Sequence, residues 1–350
     1  MSTAALARPP AKGRLRRIRR RRTLALGVLT AILALTVVLS LAVGANPVAP
    51  GDVWLALTAP TGGESDIVVR SLRVPRTALG VLAGISLGVA GALMQGHTRN
   101  PLADPGLLGV TQGAAFAMVV SILVFDMTGL HTYIWFGLAG ALLASAGVFA
   151  LGTAGGGRSG STPVTLALAG TAVSAFLYAF TSAVVLLDEQ AMDVFRFWQA
   201  GSVAGRGETV FWQVLPFAAA GLLIALAGAP GLNTLALGED VACSLGQNVA
   251  VTRAVGIVAV TLLTGASVAA CGAVAFVGLM VPHMVRPLAG PDHRWLVPYS
   301  GLLGAILLLT ADVIGRVVAL PGELEVGVVL ALIGAPFFVA LVRRRNQVRL

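Results

Sequence analysis

The sequence predicts an all-helical, polytopic membrane protein with about ten transmembrane helices and both termini in the cytoplasm. Three observations lead there. The first is composition. Of 350 residues, 57% are hydrophobic and only 11% are charged, whereas a soluble domain holds about 45–50% apolar and about 25% charged residues. Disorder is excluded because it needs low hydrophobicity. A soluble enzyme is excluded because too little polar surface remains to clothe its fold. The second observation is a series of ten apolar runs bounded by Gly, Pro or charge, most of them near the roughly 20 residues that cross a bilayer. The third is that arginines gather at both ends of the chain.

The chain opens with a basic tail, residues 1–22, which holds Lys12 and eight arginines (Arg8, Arg14, Arg16, Arg17, Arg19, Arg20, Arg21 and Arg22) and no acid. This tail alone accounts for the net charge of +9, because the remaining 15 arginines and 15 acids cancel. The charge therefore reads as a cytoplasmic anchor on anionic lipid rather than as a nucleic-acid surface. The first apolar run, about Leu24 to Val43, is longer than a signal-peptide core, and no clear A-x-A cleavage site follows it. It is expected to be a retained first helix. Further runs fall near 77–96, 107–125, 131–152, 164–187, 210–229, 251–271, 274–290, 297–318 and 326–342. A Gly-containing bend at Cys271 and Gly272 divides the seventh from the eighth. The eighth is short and contains Pro282, which suits a helix packed inside protein. The C-terminus carries Arg343, Arg344, Arg345 and Arg349, again a cytoplasmic signature. Two cytoplasmic ends require an even number of spans, and ten satisfies this. The expected plan is a tail 1–22, a ten-helix domain 23–345 with a cytoplasmic loop at about 230–250, and a C-terminal tail 346–350.

Three connections are long: 44–76 and 188–209 outside, and 230–250 inside. The first contains Arg70, Arg73 and Arg76, which the positive-inside rule disfavours there. Arg73 and Arg76 share a face if helical, and Arg316 at the outer end of the ninth run is a fourth outward arginine. Guanidinium forks on an outer rim suit the docking of carboxylates. The plainer alternatives are lipid-headgroup contact or local pairing, for example Arg316 with Asp312 one turn earlier. An intramembrane carboxylate such as Asp312 is a functional candidate by default, but with Arg316 four residues on, a structural ion pair outweighs a proton relay. In the inner loop, Glu239 and Asp240 open a short amphipathic helix where they favour the dipole, and Gly246 can end it. Such a helix lies on lipid or fits a groove in a partner. In the second span Gly80, Gly84, Gly88 and Gly91 make a flat face suited to close helix packing.

Several chemistries are excluded. Lys12 is the sole lysine, and a Walker-type ATPase needs a lysine in G-x-x-x-x-G-K-[ST], so any ATP hydrolysis belongs to another chain. Cys243 and Cys271, and His97, His131, His283 and His293, show no metal-ligand spacing. No paired aspartates, Ser–His pair or His-Glu zinc motif marks an intramembrane enzyme. An ion-coupled secondary transporter, the rival class, needs a buried mid-span carboxylate, and only Asp312 approaches one.

Several segments carry a resemblance: Leu72-Arg73-Val74-Pro75-Arg76, Gln95, Arg99-Asn100-Pro101-Leu102-Ala103-Asp104-Pro105, Phe276-Val277-Gly278-Leu279-Met280-Val281-Pro282-His283, Asp292-His293-Arg294, Ala311-Asp312 and Gly334-Ala335-Pro336-Phe337. As an ordered set over about residues 24–345, they resemble the FecCD-type permease family of ABC importers for ferric siderophores, haem and cobalamin. The resemblance implies two ten-helix permeases, identical or sister chains, around a central path. It implies two separate ATPase subunits that hold the ATP and Mg, and an extracytoplasmic binding protein that delivers substrate. Arg73, Arg76 and Arg316 would face acids on that protein. Leu237, Gly238, Glu239, Ala242, Leu245 and Gly246 would form the element coupled to the ATPase. Asn100, Pro101, Pro282, His283 and Asp312 belong to the family's structural motifs. The chain itself is expected to bind no cofactor or metal and to catalyse nothing. The expected substrate is a ferric siderophore, with haem or cobalamin by the same architecture as the alternative. The expected setting is the bacterial cytoplasmic membrane, with lipid and no nucleic acid as partner. The basic tail exceeds the family pattern and carries no expected transport role.

Overall fold

The computed structural model describes residues 12–44, 47–155 and 162–346. Arg8 in the basic tail and Arg349 in the C-terminal tail lie outside them. The described residues contain helices and their connections and no strand. In chain order the helices are α1 (Lys12–Ala42), α2 (Pro50–Thr58), α3 (Glu64–Ile67), α4 (Val74–Thr98), α5 (Val110–Phe125), α6 (Leu130–Gly155) and α7 (Pro163–Leu187). They continue with α8 (Glu189–Ala200), α9 (Glu208–Leu235), α10 (Glu239–Ser244), α11 (Val249–Cys271), α12 (Val277–Ala289), α13 (His293–Val318) and α14 (Val326–Asn346). A π-helical stretch, Val68–Arg73, joins α3 to α4 without a break. A 3-10 turn, Pro105–Leu108, precedes α5.

Every apolar run of the sequence is a helix, but the runs are not equal. Among the described residues seven helical segments are long and apolar enough to cross a membrane: Arg19–Ala42, Glu64–Thr98, Leu130–Gly155, Pro163–Leu187, Glu208–Leu235, Val249–Cys271 and His293–Val318. The other three are shorter: α5, α12 and the apolar part of α14, Val326–Leu341. The 13 residues of α12 rise only about 20 Å at 1.5 Å each, short of a hydrocarbon core of about 30 Å. Pro282 and its neighbours Val277–Val281 are buried, so the first half of α12 is enclosed by protein, as its length and its proline predict, while Met284 and Leu288 in its second half are exposed.

Three boundaries differ from the sequence expectation. The inner loop does not begin at residue 230, because α9 runs on through Pro230 to Leu235. A proline inside a helix removes one backbone hydrogen bond; here Leu232 and Leu235, 1% and 0% exposed, hold the extra turn in the core. The segments 44–76 and 188–209 are largely helical, as α2, α3, the π-helical stretch and α8. The basic tail has no break at residue 22, because from Lys12 onward it is continuous with the first long helix.

The centre is built from α4 and α11. Of their most apolar stretches 83% and 78% are buried, against 11% for α7 at the edge, where Leu168, Phe176, Tyr178, Phe180, Leu186 and Leu187 are exposed. The glycine face of α4 explains its central position. A methyl group at Gly84 would meet the backbone of Gly304 and Ala305 in α13, one at Gly88 would meet Ser300, and one at Gly91 would meet Gly278 in α12. Glycine is required there for close approach of two backbones, and the approach brings dispersion contacts that larger residues would forfeit. Gly88→Leu is expected to destabilise the chain by about 1–3 kcal/mol or more, since backbone cannot move aside like a side chain. Gly27→Leu on α1, where an added carbon meets nothing within 4 Å, is the control. Thermal unfolding in detergent checks this, and a Gly88→Leu protein as stable as Gly27→Leu would refute the packing account.

Candidate functional site

Two charged clusters lie at opposite ends of α4. Arg76 stands in its first turn and Arg99 just past its last, about 35 Å apart at 1.5 Å per residue.

At the first end, Asp312 of α13 is the hub, with 1% of its side chain exposed. Arg76 donates to it from Nε (3.1 and 3.2 Å) and from Nη2 (2.7 Å). Arg316 donates to it from Nε at 3.1 Å and also from Nη2. A carboxylate gripped by two guanidinium groups has its lone pairs filled, which is what allows it to stay buried. Arg316 uses its remaining donors on the end of α1: Nη1 on the carbonyls of Ser40 (2.8 Å) and Val43 (3.0 Å), and Nη2 on Ser40 Oγ (2.9 Å). Arg73 Nη1 donates to the carbonyls of Leu41 (2.7 Å) and Ala42 (2.8 Å). The last carbonyls of a helix lack intrahelical partners and carry its negative dipole end, and here two arginines from elsewhere in the chain cap them. Arg76 Nη1 reaches Glu323 Oε2 at 2.7 Å. A cleft of about 430 Å³ opens over the cluster, lined by Arg73, Arg76, Arg206, Arg316 and Glu323.

This geometry corrects one part of the sequence reading. Arg73, Arg76 and Arg316 do come together, but they are not forks held out on a rim. Arg73 and Arg316 are 6% and 2% exposed, drawn inward by the carbonyls of α1 and by Asp312. The local pair between Arg316 and Asp312 is present. Arg70 is exposed. Glu323 and Arg206 had no place in the sequence reading, because the elements that bring them to the cleft are distant in the chain.

At the opposite end, the short helix α10 follows α9. Glycines flank it, Gly238 with φ +112° and Gly246 with φ +80°, backbone conformations that a Cβ disfavours. The amide of Gly246 donates to the Cys243 carbonyl and that of Gln247 to Ala242, closing the helix with a Schellman-like pair. Ala242 is buried, while Leu237, Val241 and Leu245 are 65%, 43% and 65% exposed, so α10 presents an apolar edge outward. Glu239 turns the other way. Its Oε1 accepts from Arg99 Nη2 at 2.7 Å and from Arg253 Nη2 at 2.6 Å. Arg99 adopts φ +51° at the end of α4, and Arg253, 6% exposed at its side chain, belongs to α11. One carboxylate thus ties α10 to both central helices. Arg253 was missed from sequence because it lies within an apolar run and its partner is on another element.

The turns around this cluster are built from the quoted motifs. Asn100 Oδ1 accepts from the Leu102 amide at 2.9 Å, Pro101 follows, and Asp104 Oδ1 caps the 3-10 turn through Gly106 at 2.8 Å. Burial raises the Asp104 carboxyl above its usual range, against the opposing Gly106 hydrogen bond. Arg286 Nη2 donates to Gln95 Oε1 at 2.8 Å. Asn233 Oδ1 accepts from the amide of His293 at 2.8 Å, and its Nδ2 donates to Asp292 at 2.6 Å. His283 Nδ1 lies 3.1 Å from the Leu279 carbonyl within α12. Asn100 and Pro101 thus sit in the turn after α4, and Pro282 and His283 lie inside α12; among the described residues these bonds bring no nucleophile and base together. Among the described residues no group of His, Cys, Asp and Glu could hold a metal ion.

The architecture is shared with known proteins. Residues 32–344 match the model of the FecCD transport family. The chain is 46% identical over 331 residues to the ferric enterobactin transport system permease protein FepD of Escherichia coli (strain K12), covering 93% of this chain and 97% of that protein. It is 41% identical over 318 residues to the iron(3+)-hydroxamate import system permease protein FhuB of Bacillus subtilis (strain 168), covering 90% and 82%. Its fold is similar to a solved inward-facing metal-chelate type ABC transporter, with a TM-score of 0.80 and 28% identity over 91% of this chain and 99% of that one. On the match across residues 32–344, the chain belongs to the FecCD transport family.

Proposed function

We propose that the chain is the membrane-spanning permease subunit of a bacterial ABC importer that moves a ferric siderophore across the cytoplasmic membrane. The observation that carries this is the end-to-end likeness to a ferric enterobactin permease, at 46% identity. In this reading α5, α12 and α14 bring the membrane-embedded helices to ten with the seven long ones, α12 as a short helix that does not span alone, and both termini are cytoplasmic. Residues 23–345 form the permease domain between the two tails. A second permease, identical or a sister chain, supplies the other wall of the path.

ATP and Mg belong to two partner subunits, in keeping with a chain whose sole lysine is Lys12. The cluster around α10 is the coupling end. Leu237, Val241 and Leu245 form the edge that enters an ATPase cleft. Glu239 passes the movement to α4 and α11 through Arg99 and Arg253. The cluster around Asp312 is the docking end for the extracytoplasmic binding protein, with Arg73, Arg76 and Arg316 in its floor. Asn100, Pro101, Pro282 and His283 hold the turns between these ends. Alternating access follows: docking biases one end, ATP binding moves the other, and α4 spans both.

The test is uptake of labelled ferric siderophore by a deletion strain and its complemented partner, with labelled haem and cobalamin in parallel. Siderophore uptake that returns only with the gene is the expected result. Return of cobalamin or haem uptake alone would keep the architecture and overturn the substrate.

A further inference from the structure

Arg76 divides its donors between two acids that differ in kind. Nε and Nη2 hold Asp312, which is buried and gripped from its other side by Arg316. Nη1 holds Glu323, whose side chain is 37% exposed on the short connection between α13 and α14 and which makes no other hydrogen bond or ion pair among the described residues. Drawing Asp312 away would strand a buried charge. Releasing Glu323 would only return a half-wet carboxylate to water, which costs little.

The same cleft holds a cation that has no acid within ion-pair distance among the described residues. Arg206, half-buried in the connection between α8 and α9, reaches among them only the Ser202 carbonyl and the Tyr133 hydroxyl, both at 3.5 Å, the far limit of a hydrogen bond. Among the described residues, Arg73, Arg76, Arg206 and Arg316 line an open space of about 430 Å³ with Glu323 as the carboxylate on its wall, while Asp312 is buried beneath.

We propose that Glu323 occupies, in the undocked chain, the seat that an acidic side chain of the extracytoplasmic binding protein takes on docking, with Arg76 Nη1 and Arg206 as the two cations of that seat. This rests on the docking reading above and adds the exchange. Glu323 keeps Arg76 oriented and partly neutralised, and it competes with the incoming carboxylate. An internal competitor lowers apparent affinity by the fraction of time that the seat is free.

The experiment titrates the assembled importer in lipid nanodiscs with its binding protein, reading Kd by biolayer interferometry and fold by thermal midpoint. Glu323→Gln is expected to tighten binding about 1.5- to fivefold, the range for a pair this exposed. Arg206→Gln is expected to weaken it about tenfold, the effect of losing one charge-assisted contact. Unchanged or weaker binding by Glu323→Gln overturns the exchange, and Arg206→Gln binding like the parent overturns its place in the seat. Arg76→Glu separates the two levels. If it leaves Kd unchanged, the docking reading itself fails. If it weakens binding while Glu323→Gln does nothing, only the exchange fails. The shifts are expected with cargo-free binding protein as well. Shifts confined to the chelate-loaded protein would put anionic cargo in the seat and overturn the proposal.

Discussion

Replacing Asp312 with alanine is expected to produce the largest loss of stability of any single substitution at the arginine end. The change removes the shared counter-ion of Arg76 and Arg316 and leaves the Arg316 side chain, 2% exposed, facing an empty low-dielectric site. Breaking a buried ion pair from one side costs about 3–5 kcal/mol, a large part of the roughly 5–15 kcal/mol that holds a typical domain. The consequences extend beyond α13. Arg316 is also a cap on the carbonyls of Ser40 and Val43, so one of the polar ties between α1 and α13 loosens. The check is the thermal midpoint and the yield of monodisperse protein. Asp312→Asn, which keeps one acceptor oxygen, should fall between parent and alanine. Glu323→Gln removes a pair with 37% exposure on its acidic side and should cost well under about 1 kcal/mol. An alanine variant as stable as the parent would mean that Asp312 is not the hub of this end.

The second large effect is expected at Glu239. Substitution by Gln removes both ion pairs that tie α10 to α4 and α11, while the outward edge of Leu237, Val241 and Leu245 stays in place. On the coupling reading, the importer should still assemble and still hydrolyse ATP, but uptake should fall about tenfold or more, the equivalent of about 1.4 kcal/mol of lost coupling. Leu245→Glu acts on the other face. It puts a charge on the apolar edge and should reduce the amount of ATPase subunit that copurifies. The two variants therefore fail in different ways: one keeps its partner and loses coupling, the other loses its partner. Stimulated ATPase activity and uptake that both survive Glu239→Gln would show that this carboxylate transmits nothing.

Much of the fold was legible in the sequence. Each apolar run is a helix because a backbone in hydrocarbon must satisfy its own hydrogen bonds. The run boundaries followed from Gly, Pro and charge within a few residues. The glycines of α4 could be read as a packing face, though not which helices they meet. The end of α9 was misplaced because Pro230 looks like a stop, and only burial of Leu232 and Leu235 carries the helix past it. The short eighth run was legible as well: its length and Pro282 suit a helix packed inside protein, and in α12 Val277–Pro282 are buried.

The candidate sites divide in the same way. By itself the sequence determined an apolar helical chain, a lysine-free body after Lys12 that excludes its own P-loop, and arginines beside the second and ninth apolar runs in a place that calls for explanation. It also marked Asp312 with Arg316 as a local pair, since four residues make one helical turn. Only the tertiary structure decided that Arg73 and Arg316 cap α1, that Arg76 is shared between Asp312 and Glu323, and that Glu239 faces Arg99 and Arg253. These contacts join residues separated in the chain by 14 to 276 positions. The physical reason is that periodicity reports which face of a helix is apolar, whereas charge pairing depends on which other helix end arrives beside it.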